Sequence, residues 1–306
     1  MPLHVSAPMR LVHGLHRVVA APLEVLVVTV CAAIAGGHLL LEDVPGVGKT
    51  LLAKRLAEAL GLGFRRVQFS PDLLPGDLTG ARIYRPSDGT FQFVPGPLFT
   101  PVLLADEINR ASPRLQSGLL EAMEEGQVSV DGTTHALSDP FFVIATQNPV
   151  HFEGTYPLPE VQLDRFIAAV SLGYPSYEAE LALLEGHHGK GVAVEAFPAE
   201  SLMAWRAAAR RTHVAPELRR YLLGIVHASR NWPDVTLGVS PRGGLAWQAL
   251  ACAHAFVHGR EHLVPDDLKA TAVPALAHRL VLRGDASRAH KERLIEDLLS
   301  QEAIPR

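Results

Sequence analysis

Apolar positions along the chain fall into short unbroken runs separated by stretches of helical period. The runs His38–Glu42, 65–69, 102–105, 141–146 and 168–172 have the length of buried strands, and helical patterns at 51–60 and 115–124 lie between them. Strands alternating with helices predict a mostly parallel sheet with helices on both faces. Past about residue 175 the pattern changes. Helical segments follow one another at 177–185, 199–211, 216–229, Pro241–Val257 and Pro265–Leu276, and no strand is expected among them. The predicted organisation is an α/β core over 1–175 and a helical domain over 176–306, joined near 173–176.

Residues 23–41 are almost all apolar and about as long as a membrane span. Glu24, Gly36, Gly37 and His38 interrupt the stretch, so it reads as a buried helix ending at Ala35, a Gly-Gly break and a buried strand. Of the 306 residues, 48% are hydrophobic and 20% charged, with a formal net charge of -4. That balance allows a large core and offers no basic footprint for nucleic acid. Cys31 and Cys252 share no metal or redox spacing, and residues 1–6 lack a basic start before a short apolar run. The expectation is a soluble cytoplasmic protein with no membrane span.

The run His38–Glu42 leads into Asp43-Val44-Pro45-Gly46-Val47-Gly48-Lys49-Thr50-Leu51, which opens the next helix. It matches G-x-x-x-x-G-K-[ST] except that Asp43 stands at the first glycine. Pro45 to Leu51 are thereby candidates for holding a nucleotide triphosphate. The glycines let backbone N–H groups approach phosphate oxygens, and the helix N-terminus adds partial positive charge. Lys49 would reach the β- and γ-phosphates of ATP, and the Thr50 hydroxyl would ligate Mg2+. The alternative is an ordinary glycine-rich turn. The strand at 102–105 ends in Asp106 and Glu107, at the edge where ligands of such sheets bind. Asp106 would hold the Mg2+ shell and Glu107 would deprotonate the attacking water. An acid pair after a strand can also be a solvated loop; the lysine and threonine upstream favour the chemical reading.

Asp106-Glu107-Ile108-Asn109-Arg110-Ala111 and Leu119-Leu120-Glu121-Ala122-Met123-Glu124-Glu125 resemble the MoxR family of AAA+ ATPases. Ala145-Thr146-Gln147-Asn148-Pro149, Glu153-Gly154-Thr155-Tyr156-Pro157-Leu158-Pro159-Glu160, Leu163-Asp164-Arg165-Phe166 and Gly238-Val239-Ser240-Pro241-Arg242 continue the resemblance in order, over roughly residues 19–282. The resemblance implies an AAA+ P-loop ATPase domain followed by a helical lid. It assigns Asn148 to sensing the γ-phosphate and attacking water, and Arg165 to a finger on a neighbouring subunit's γ-phosphate, with Arg110 a second candidate. Arg165 could instead pair with Asp164 at the surface. Arg242 would be the lid's sensor on bound ATP; with Ser240 as N-cap and Pro241 at the first position it falls in a first helical turn, where its charge opposes the dipole. The family usually has Gly-Gln where this chain has residues 18–22, which leaves the adenine pocket unassigned. Gly243 and Gly244 so early in a helix should loosen it. The resemblance further implies a closed homo-hexamer, chaperone-like remodelling or maturation of client proteins, and a partner with a von Willebrand factor A domain.

Two hairpins are expected within the core: 80–84 with 90–94 around Pro86-Ser87-Asp88-Gly89, and 127–130 with 134–137 around Asp131-Gly132. Phe91 and Phe93, two apart on a strand, would share a face and either pack down or meet a client. His254, His258 and His262 are spaced by four, but Gly259 should end the helix between them, which argues against a metal site. His187-His188 reads as a solvated loop, and Trp205, Trp232 and Trp247 as core or interface anchors. The rival functions are an ATP-binding scaffold with little turnover, disfavoured by Glu107, and a DNA-directed motor, disfavoured by the acidic balance.

Overall fold

A computed structural model describes residues 5–148, 156–186, 193–284 and 287–303. Parts of two motifs, Pro149 and Glu153 to Thr155, and the His187-His188 segment lie outside the described residues. Two helices, α1 (Ala7–His16) and α2 (Leu23–Ala35), precede β1 (His38–Glu42). The chain continues through α3 (Lys49–Ala59), β2 (Phe64–Gln68), α4 (Pro75–Thr79), the hairpin β3 (Gly80–Arg85) and β4 (Thr90–Pro95), β5 (Val102–Asp106) and α5 (Pro113–Glu125). A second hairpin, β6 (Gln127–Val130) and β7 (Thr133–Ala136), is followed by β8 (Phe142–Gln147), α6 (Glu160–Leu163) and β9 (Phe166–Val170).

The five core strands form one parallel sheet in the order β2-β5-β8-β1-β9. Parallel strands need crossovers, and the helices that supply them cover both faces, which is why β1, β5, β8 and β9 are apolar nearly throughout. β2 lies at the edge and carries exposed charge, Arg65 and Arg66. All carboxyl ends point to one rim, so the loops after β1, β5 and β8 meet there.

The apolar stretch at 23–41 is the core helix α2 and the strand β1. Nine consecutive residues of α2, Leu26 to Ile34, are buried, enclosed by α1, β1 and β9 on the core side and by lid helices on the other. Among the described residues no helix is long and apolar enough to cross a membrane.

The second half comprises α7 (Tyr177–Leu184), α8 (Ser201–Ala209), α9 (Pro216–Asn231), β10 (Val235–Leu237), α10 (Pro241–Val257), α11 (Pro265–Leu276), β11 (Val281–Leu282) and α12 (Arg288–Gln301). The expectation of no strand here is corrected: β10 and β11 form a two-stranded antiparallel sheet. At three and two residues they are too short to show a period of two. The apolar core crosses the joint, since α10 and α8 pack on α2 and α11 packs on β9.

One arginine from the lid pins this junction. Arg279, 4% exposed, donates from Nε to Asp164 Oδ1 at 2.7 Å and from Nη2 to the Asp164 and Phe166 carbonyls at 3.1 and 2.6 Å. A Cβ on Gly243 would lie 2.8 Å from Arg279 Cδ and from Val239 Cγ1, closer than atoms tolerate. The glycine expected to loosen α10 is therefore a packing requirement, and Ser240 caps the same turn by accepting from the Gly243 N–H at 2.9 Å.

Two buried histidines are held neutral. His38 Nδ1 accepts from the Val143 N–H and Nε2 donates to the Met123 carbonyl, both at 3.0 Å, joining β1 to β8 and α5. Burial pushes its pKa down to about 4, opposed by the Met123 bond and aided by the Arg206 charge. Burial, then the neighbouring Arg279 charge, lowers His278 likewise. The unfolded chain, with His38 near its ordinary 6.5, takes up protons first as pH falls. This contribution to stability is complete above about pH 6.5 and is lost as pH falls toward about 4. Denaturant midpoints should drop between about pH 7 and about pH 5, and His38→Gln, which cannot ionise, should reduce that drop at some cost in stability. An undiminished drop in the variant would contradict the assignment.

Candidate active site

The loop after β1 and the start of α3 form one wall of a cavity of about 220 Å³ at the carboxyl rim. Pro45, Gly46, Gly48, Lys49 and Thr50 line that wall, and Asp106, Glu107 and Asn148 face it from the ends of β5 and β8. Eight of the residues singled out from the sequence thus meet at one place. Gly46 and Gly48 have φ of +93° and +97°, which side chains disfavour, and the space where their Cβ atoms would project is open. That leaves a backbone-lined cradle at a helix N-terminus, fitted to phosphate oxygens. Val47 is buried beneath the loop and Leu51 points to solvent, so neither lines the cavity.

Asp43, at the place of the usual first glycine, is 4% exposed. Its carboxylate accepts from Ser171 Oγ at 2.6 Å, Leu172 N–H at 2.7 Å and Gly173 N–H at 3.1 Å. The phosphate loop is thereby tied to the exit of β9 at the joint. Lys49 Nζ donates to the Asp43 and Val44 carbonyls at 2.8 and 3.3 Å. Burial lowers its pKa, offset in part by Asp43, Asp106 and Glu107.

The two acids are firmly held. Asp106 Oδ1 accepts from Thr146 Oγ1 at 2.7 Å, and that hydroxyl accepts from the Glu107 N–H at 2.9 Å. Arg66 on the neighbouring edge strand donates to Asp106 Oδ2 at 3.1 and 2.5 Å. Glu107 has a left-handed backbone, φ 59° and ψ 48°, a costly conformation for a residue with a side chain. Its carboxylate meets Arg110 at 3.2 Å. Asn109 donates to the Asn148 carbonyl at 3.2 Å, linking the loops after β5 and β8. Thr50 and Asp106 offer hard oxygen donors of the kind Mg2+ takes.

The other two arginines lie elsewhere. Arg165 and Arg242 both bind Glu124 on α5, at 3.0 and 2.9 Å, and neither lines the cavity of its own chain. Arg242, expected as the lid's sensor on bound ATP, thus lies on Glu124 in this chain, outside the lining of the cavity. The Asp164–Arg165 pair weighed from the sequence does not form either, because Asp164 is taken by Arg279 and Ser240. Arg66 and Gln68 escaped the sequence reading, and Thr146 and Glu124 stood in its motifs without a role; Arg66 and Gln68 carried only the signal of polar residues two apart on a strand, on the face toward Asp106.

A second cavity, of about 650 Å³, lies where the N-terminal segment meets the joint, lined by His16, Val19, Ala21, Pro22, Tyr174 and Ala179 among others. His254, from the histidine trio, is hydrogen-bonded to buried Asp267 at 2.6 Å, and Gly259 does follow the end of α10.

Comparisons with known proteins agree with this geometry. Residues 38–168 match the model of the ATPase family associated with various cellular activities, and 227–298 match an AAA lid domain. The chain is 43% identical over 299 residues to the uncharacterised protein YeaC of Bacillus subtilis, covering 96% of this chain and 93% of that one. It is 40% identical to the chaperone MoxR1 of Mycobacterium tuberculosis, over 88% of this chain and 74% of the other, and 30% identical to the protein MoxR of Paracoccus denitrificans, over 94% and 91%. A crystal structure of a candidate ATPase from Cytophaga hutchinsonii superposes with a TM-score of 0.86 at 35% identity, over 97% of this chain and 94% of that one. With the phosphate loop, the paired acids and the lid in the expected order, the chain belongs to the MoxR family of AAA+ ATPases.

Proposed function

We propose that this protein binds ATP with Mg2+ in the 220 Å³ cavity and hydrolyses it to remodel or mature partner proteins. The observation that carries the reading is the convergence of Gly46, Gly48, Lys49, Thr50, Asp106, Glu107 and Asn148 on one rim. The loop N–H groups and Lys49 hold the phosphates, and Thr50 and Asp106 hold Mg2+, which supplies charge neutralisation on the phosphate oxygens. Glu107 takes a proton from the water that attacks the γ-phosphorus as the bond to the β-phosphate oxygen breaks and ADP leaves. The Asn148 amide orients that water and the γ-phosphate. The neighbouring 650 Å³ cavity, joined to the loop through Asp43 and residues 171–173, takes the base.

Arg165 serves as the finger on a neighbouring copy's γ-phosphate, and Arg242 as the lid's sensor on bound ATP. Both sit on Glu124, away from their own chain's cavity, and a guanidinium's fixed charge and planar fork suit a γ-phosphate. A contact in trans is heterologous, and closure of such contacts gives a ring, here a homo-hexamer. Arg110, paired with Glu107 of its own chain, is the weaker finger. Residues 1–175 and 176–306 act as core and lid, and the work takes place in the cytoplasm. A protein with a von Willebrand factor A domain is the proposed partner.

Lys49→Ala should abolish binding of a labelled nucleotide, while Glu107→Gln should retain ATP without releasing phosphate. Phosphate release from Glu107→Gln at the wild-type rate would refute the base. Arg165→Ala should leave affinity nearly intact and cut turnover by about 10³. Mixing it with Lys49→Ala subunits should restore part of the activity, and an inactive mixture that still forms rings would refute a finger in trans.

The first hairpin is the proposed contact with clients. Phe93 packs down, stacked on His135 of the second hairpin at 3.9 Å between centroids and edge-on to Phe99. Phe91 stays 58% exposed beside Tyr84 and Ile83, also exposed. Phe91→Ser should keep folding and basal turnover and weaken capture of the co-purifying partner, whereas Phe93→Ser should lower the thermal midpoint. Undiminished capture by Phe91→Ser would remove the hairpin from client binding.

A further inference from the structure

The charge arrangement around Asp106 contains a cation that the hydrolytic scheme does not use. Arg66 projects from β2, two residues before Gln68, which pairs in register with Asp106. Its guanidinium covers Asp106 Oδ2 through Nε at 3.1 Å and Nη2 at 2.5 Å, and it lines the cavity beside Lys49 and Glu107. The two partners differ in freedom. The Asp106 side chain is 11% exposed and anchored on its other oxygen by Thr146, whereas the Arg66 side chain is 44% exposed on an edge strand with solvent beside it. Moving the guanidinium costs its own side chain little, because water can take over its donors, but the buried carboxylate must then find another cation. Moving the carboxylate would break the Thr146 bond and the link through it to the Glu107 N–H.

Two ions therefore compete for one fixed oxygen. Without a metal, the cavity holds the carboxylates of Asp106 and Glu107 against the ammonium of Lys49, and a triphosphate would add several negative charges. A guanidinium on Asp106 removes one of those repulsions. A divalent ion carries twice the charge in a smaller radius and displaces it. We propose that Arg66 is a placeholder cation for Asp106. It neutralises the carboxylate while Mg2+ is absent and gives the oxygen up when Mg2+ arrives, so that Arg66 sets how strongly nucleotide binding depends on Mg2+. Arg66 is on this view a positioning residue. The inference rests on the reading of this cavity as the ATP–Mg2+ site.

The test measures the affinity of the full chain for a fluorescent, non-hydrolysable ATP analogue, once in excess EDTA and once in excess Mg2+, for the native protein, Arg66→Ala and Arg66→Lys. In Arg66→Ala the affinity in EDTA should fall several-fold, about three to ten, while that in Mg2+ stays level or rises. The ratio of the two dissociation constants should rise by the same factor, and the Mg2+ concentration that half-restores binding should fall. Arg66→Lys, which keeps the charge without the fork, should lie between the two. Equal losses in both media, or an unchanged ratio, would overturn the inference, because a purely structural arginine or a direct phosphate ligand acts in both. If Arg66→Ala fails to fold, Arg66→Lys decides by the same ratio. Absence of binding by the native chain in both media would instead overturn the nucleotide reading itself.

Discussion

A buried carboxylate ties the phosphate loop to the exit of β9. Asp43 stands where such loops usually have a glycine, and its two oxygens accept three hydrogen bonds from residues 171–173. A buried carboxylate with fewer donors would be costly, so the loop end and the exit of β9 are effectively one rigid piece. The phosphate loop takes its position from that piece, while Asp106 and Glu107 are set by Thr146. Lys49 leans on the carbonyls of Asp43 and Val44, and α7 begins at Tyr177, four residues past the last donor. The departure from the usual motif strengthens the site where the chain passes from core to lid.

The sheet order explains why so few residues are needed. With β1 between β8 and β9, and β5 beyond β8, the loop after β1 is flanked by Asn148 on one side and by the Asp43 donors on the other. Asp106 follows one strand further out and Arg66 at the edge. Charge thus runs along the rim from buried acids at the centre to an exposed base at the margin.

Much of this was legible in the sequence. The strand His38–Glu42, the loop from Pro45 to Thr50 and the helices Pro241–Val257 and Pro265–Leu276 are local patterns, and local patterns survive translation into structure. What escaped depends on register or on distant contacts. Arg66 reaches Asp106 only because β2 pairs with β5 in one particular register, which the chain does not advertise. Glu124 acquires two arginines from elements far away in sequence. Arg279 and Arg242 look alike as letters, yet one is a buried strut and the other a half-exposed surface charge. Phe91 and Phe93 share an alternation but part company because the second hairpin covers only Phe93.

Glu124 has a further consequence. Arg165 comes from the loop before β9 and Arg242 from the first turn of α10, so one acid on α5 is the common tenancy of a core loop and a lid helix. Glu124 is 37% exposed, so water can take the place of either guanidinium at little cost. The lid stays on the core through Arg279 and the apolar packing of α10 on α2 whether or not those pairs are made. Two guanidiniums from distant parts of the chain are thus gathered at one half-exposed acid, on the surface of the junction rather than within it.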